Sequence, residues 1–126
     1  MNDPKPAAGT VTWFDLTVDN ASELKAFYEQ VVGWTNMPVD MGGYEDFCMN
    51  ASDGQTIAGI CNAKGPNSGI PPVWMMYINV DDIQATVDKC KANGGDVIGE
   101  PRSAGGGLCA ILRDPSGAVF AVYQAA

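Results

Sequence analysis

The chain repeats itself. A shift of 62 residues lays 11–18 on 73–80, Asp19 on Asp81 and Gly33 on Gly95, and a shift of 63 lays Asp53-Gly54 on Ser116-Gly117 and Ala58 on Ala121. Each half reads as strand, helix and three further strands. A half of roughly 55 residues is too small to bury a good core alone. The halves are therefore expected to pack against each other, or against halves of a second chain. The 126 residues together suit a single domain.

The local signals support this reading. VTWFDLTV (11–18) is rich in β-branched and aromatic residues, so it predicts a strand. Alternation puts Phe14, Leu16 and Val18 on one face and Trp13, Asp15 and Thr17 on the other. A helix over 21–32 follows, with Asn20 and Glu23 spaced as a capping box and Gly33 placed to end it. Its apolar stripe is Ala21, Leu24, Phe27, Tyr28 and Val31. Residues 44–50 and 55–62 read as strands, with Ser52-Asp53-Gly54 as the turn between them. The segment AKGPNSGIPP (63–72) is the linker candidate. It divides a first module (10–62) from a second (73–124). In the second, a strand over 73–80 precedes a helix opened by Asp81-Asp82, with Ile83, Val87 and Cys90 on one side. Strands are expected near 96–100, 108–113 and 118–124, with Asp114-Pro115-Ser116-Gly117 as a turn. Residues 1–9, with two prolines, read as a loose arm.

Composition narrows the chemistry. The net charge of −8 disfavours nucleic acid and anionic membranes. There is no histidine, which removes Ser-His-Asp and Cys-His nucleophile systems and the usual zinc and iron sites. No apolar run approaches the ~20 residues that span a bilayer, and the first ten residues lack the apolar middle of a signal peptide. The four cysteines, at 48, 61, 90 and 109, form no CxxC pair. Free thiols in a cytoplasmic protein are the expectation.

WFDLTVDNASELKAFYEQVVGW (13–34), YINVDDIQATVDKCKANGG (77–95) and GGGLCAILRDPSGAVFAVYQ (105–124) together resemble the vicinal-oxygen-chelate superfamily of glyoxalases, bleomycin-resistance proteins and extradiol dioxygenases. The resemblance covers 11–124. It implies an α+β fold in which two βαβββ modules form a curled mixed sheet around a cleft, commonly completed by homodimerisation. A ferredoxin-like sandwich is the competing fold. Enzymes of the superfamily hold a divalent metal at four points, which by position fall on Trp13, Ala58, Met75 and Ala121. Indole and alanine offer no suitable donor, and a thioether prefers soft ions. The expectation is no metal and no cofactor.

Strand parity, applied to both halves, lines the cleft with Trp13, Asp15, Ala58, Met75, Tyr77, Ala121 and Tyr123. Such a lining suits a small apolar or aromatic ligand, and it could equally be a second core. Asp15 is the candidate catalytic group, because partial desolvation beside Trp13 would raise its pKa as a general acid or base requires. It could instead lie at the solvent end or accept backbone hydrogen bonds. Asp46 and Arg113 are weaker candidates. Gly105-Gly106-Gly107 lacks the Lys-Ser/Thr and helix of a phosphate loop. Two functions remain open: a metal-free binding protein for a small molecule, or a glyoxalase-type or metal-free lyase or isomerase using Asp15.

Overall fold

A computed structural model describes residues 5–126; of the expected arm at residues 1–9, residues 1–4 lie outside it. The strands and helices run β1 (Val11–Val18), α1 (Ala21–Val32), β2 (Thr35–Asp40), β3 (Glu45–Asn50), β4 (Thr56–Asn62), β5 (Trp74–Asn79), α2 (Ile83–Ala92), β6 (Asp96–Ala104), β7 (Gly107–Arg113) and β8 (Val119–Gln124). This is βαβββ twice, an α+β arrangement. The chain forms two compact units, Trp13–Trp74, and Met75–Ala126 with the N-terminal residues up to Thr12.

In the first unit β1 pairs parallel with β4, β4 antiparallel with β3, and β3 antiparallel with β2. Parallel partners need a long crossover, and α1 begins it. The helix packs on Leu16, Val18, Phe47, Met49 and Ile60 through Ala21, Leu24 and Tyr28. Each large apolar side chain buried there stabilises by about 1.5–3 kcal/mol. The expected helix stripe is wider than the contact, because Phe27 and Val31 are more than half exposed. Phe14 is also exposed, since β1 meets β4 only from Asp15 onward. Tyr28 stacks on Trp34 and accepts a 2.9 Å hydrogen bond from Trp74 Nε1. The Pro/Gly segment is tied to this unit: the Ala63 N–H donates to Val18, Lys64 lies over the Tyr44 ring, and Ile70 is buried.

The second unit has the same plan, with β5 parallel to β8, β8 antiparallel to β7, and β7 antiparallel to β6. Ile83 and Val87 of α2 pack on Ala110, Leu112 and Val122, with Cys90 at the margin, as the helix pattern predicts. β6 is longer than expected and runs through Pro101, its ladder broken by register shifts. Residues 105–106 form the tight turn between β6 and β7 rather than a phosphate loop. Gly105 and Gly106 both have positive φ, which a two-residue hairpin turn demands. The Tyr123 hydroxyl donates to the Ala104 and Gly105 carbonyls beneath it. From Ala7 the arm is also ordered. Asn79 exchanges backbone hydrogen bonds with Gly9 and Thr10, and its amide donates to the Thr12 hydroxyl.

The helix starts differ from expectation in one respect. Asp82 accepts from the Ala85 N–H at 3.0 Å, a true N-cap, whereas the Asn20 side chain caps nothing and donates instead to Glu23. Asp82→Ala should therefore cost about 1 kcal/mol of stability and Asn20→Ala a few tenths at most. Urea unfolding of the two variants at constant slope checks the difference.

Candidate functional site

The register of each sheet determines which residues share a face. In the first unit Asp15 stands opposite Gly59, Gly59 opposite Cys48, and Cys48 opposite Met37. Thr17 stands opposite Cys61 in the next row on the same side. Trp13, two residues before Asp15, shares this helix-free face. Its Nε1–H donates to Asp15 Oδ1 at 2.6 Å, with both groups partly buried. Met37 and Val39, at the β2 edge, are exposed.

Ala58 is a correction. It pairs with Met49, one residue off the Asp15 row, and its neighbour parity is that of Ile60 in the helix-packed core. Gly59 takes the place expected of it. The reason is register: a shift of 63 suggested Ala58, while Asp15 opposite Gly59 and Tyr77 opposite Ala121 obey the shift of 62 throughout. Gly59 also leaves room for the Asp15 carboxylate: a Cβ there would displace Asp15 Oδ1, and it would lie 3.4 Å from Trp13 Cζ2.

In the second unit Met75, Tyr77, Ala121 and Tyr123 do share the helix-free face. Tyr77 lies opposite Ala121, Asn79 opposite Tyr123, and Ile111 opposite Ala121. Met75, Ile111 and Ala121 are fully buried, and Tyr77 and Tyr123 half-buried. Asp46 is a structural carboxylate: buried, its Oδ1 accepts from the Asn62 N–H and the Asn62 amide, both at 2.9 Å. Arg113 is half-buried opposite Val119.

Sequence parity missed Cys48 and Cys61 as neighbours of Asp15. Burial first, and then the Asp15 charge, raises the Cys48 thiol above its usual range. The same two causes, with Asp46 added, raise Cys61 strongly. Both stay protonated near neutrality and are poor nucleophiles. Two hollows involve none of the expected residues. One, of about 610 Å³, is open and polar, beside Asp40, Tyr44 and Lys64. The other, of about 290 Å³, is apolar, beside Cys90, Leu112 and Phe120.

A sequence profile described as the Glyoxalase/Bleomycin resistance protein/Dioxygenase superfamily matches residues 10–122. The chain belongs to this superfamily. Among curated relatives, the "Putative glyoxylase CFP32" of Mycobacterium tuberculosis is 38% identical over 120 residues, covering 94% of this chain and 45% of that protein. The "Anthracycline biosynthesis protein DnrV" of Streptomyces peucetius is 33% identical, covering 94% and 48%. The chain thus spans about half the length of the curated relatives it matches. A methylmalonyl-CoA epimerase structure superposes with a TM-score of 0.57 at 15% identity, covering 97% of this chain and 99% of that one, and so shares the glyoxalase-superfamily fold. No helix among the described residues is long and apolar enough to cross a membrane.

The superfamily's divalent metal can be tested against these side chains. The positions that the resemblance assigns are, once the register is corrected, Trp13, Gly59, Met75 and Ala121. Gly and Ala carry no donor atom. The indole nitrogen has no lone pair to give, and its N–H is committed to Asp15. Met75 offers one soft sulfur. The set does not fit a hard divalent ion. Among the described residues no group of three or more His, Cys, Asp or Glu is placed to hold one elsewhere.

The raised thiols have a consequence at alkaline pH. The unfolded chain ionises Cys61 from about pH 9.0, its ordinary range, while the folded chain resists. The stability this confers is present below that pH and lost as pH rises from it towards the folded pKa. Thermal melts from pH 8 to 10.5 should show a decline that Cys61→Ser makes shallower.

Proposed function

We propose that this superfamily member binds a small apolar or aromatic molecule on its helix-free sheet face, without a metal. The observation that carries the reading is the half-buried Trp13 indole, held by Asp15 on the face that also presents Met37 and Val39. Aromatic and thioether side chains favour planar, polarisable ligands. The naming of two relatives for anthracycline biosynthesis supports a polycyclic aromatic as the ligand class. On the second module's own helix-free face, half-buried Tyr77 and Tyr123 are proposed as ligand contacts and fully buried Met75 and Ala121 as the packing beneath them. Assembly as a homodimer burying over ~1,000 Å² in total is part of the proposal. Light scattering should give twice the chain mass, and a monomer at tens of micromolar overturns that part.

The second reading is an enzyme, a lyase or isomerase of glyoxalase type with Asp15 as general acid or base. The family and the relative named as a glyoxylase favour it. Two variants separate the readings. For binding, fluorescence titration with 1,8-dihydroxyanthraquinone should show Trp13→Ala weakened by about 2 kcal/mol, the worth of a large buried aromatic. Asp15→Asn should cost well under ~1 kcal/mol. For catalysis, turnover of methylglyoxal with a thiol should be absent in the wild type. Measurable turnover that Asp15→Asn lowers by ~10²-fold or more establishes the enzyme instead. Elemental analysis after dialysis against plain buffer should find no stoichiometric divalent ion. One tightly held zinc, nickel or iron per chain defeats the metal-free reading.

A further inference from the structure

We infer that Asp15 is a positioning residue: its carboxylate, seated on Gly59, locks the Trp13 indole into one orientation as the surface on which a planar ring stacks. The lock itself stands on geometry, and only the stacking step rests on the proposed ligand reading.

Three observations converge. Residues two apart on a strand project from the same side roughly 6–7 Å apart. For Nε1 of Trp13 to reach Asp15 Oδ1 at 2.6 Å, the indole must lie over along the strand rather than stand up from it. Both side chains also lean towards the same point on β4. A Cβ at Gly59 would strike Asp15 Oδ1 and come within 3.4 Å of Trp13 Cζ2. The missing side chain is therefore what gives the carboxylate its seat. Finally, Gly59 is held in place from both sides, by Asp15 across the parallel ladder and by Cys48 across the antiparallel one. The glycine cannot move away to admit a side chain without breaking the rows on either flank.

The role requires an acceptor oxygen and not a charge or an exchangeable proton. An asparagine in place of Asp15 supplies the oxygen; a leucine of similar size does not. This distinguishes a positioning residue from a general acid or base, for which the amide is as inert as the hydrocarbon. It also makes Gly59 functional at a distance from any ligand atom.

The test uses the full 15N-labelled chain, whose three tryptophans give three indole N–H resonances. Loss of one in Trp13→Phe assigns Trp13. In wild type and Asp15→Asn this resonance should be downfield and slow to exchange with solvent. In Asp15→Leu and Gly59→Ala it should move upfield and exchange faster, while the Trp34 and Trp74 resonances hold and report an intact fold. Affinity for 1,8-dihydroxyanthraquinone should stay within about two-fold in Asp15→Asn and fall about five- to ten-fold in Asp15→Leu and Gly59→Ala, the scale of one lost hydrogen bond. An unmoved Trp13 resonance in Asp15→Leu overturns the lock. So does an Asp15→Asn variant as impaired as Asp15→Leu. The expected resonance pattern without probe binding to the wild type supports the lock and overturns the ligand surface. Should Gly59→Ala fail to fold, the Asn and Leu pair decides alone.

Discussion

The parallel pairing of the first and fourth strands within each module is the constraint on which the rest depends. It forces the chain to leave the sheet and return, and the helix that starts this excursion covers one face only. The opposite face is left to other uses. Register then assigns each residue to one side: Asp15 with Gly59 in one module, Tyr77 with Ala121 in the other. A one-residue slip in either pair would exchange the helix-covered face for the helix-free one along a whole strand.

The polar groups of the helix-free faces are largely spoken for by the protein itself. Asp15 holds Trp13, Asp46 holds Asn62, and Tyr123 closes the β6–β7 turn. Among the described residues no buried side-chain nitrogen or oxygen lacks a partner. On the proposed reading, a ligand's affinity would come mainly from apolar area and ring contacts rather than from these committed polar groups.

The repeat, the two helices and the alternation of β1 and β5 were legible in the sequence because each is a local pattern of period 2 or 3.6. Phe14 has core parity and is nonetheless exposed, as is Met76 one repeat further on. Alternation tells which side a residue faces, not how far the covering helix extends. The same limit applies to Phe27 and Val31 on α1. Ala58 failed for another reason. Pairing between strands more than forty residues apart is a long-range fact, and only consistent use of one repeat offset leads to Gly59. Cys48 and Cys61 entered the picture through that same pairing, as did the cause of their raised pKa. The Asn20 cap failed because the side chain found Glu23 before it found the backbone.

The segment leading into the first strand has a partner that is made late. Gly9 and Thr10 bond to Asn79, and the Thr12 hydroxyl accepts from the same residue. A ribosome delivers the N-terminus first, at ~5–20 residues per second. These groups must therefore wait in water for several seconds while the intervening chain emerges. Contacts of such separation slow folding, and the waiting segment is one that a chaperone or protease can reach before Asn79 closes it.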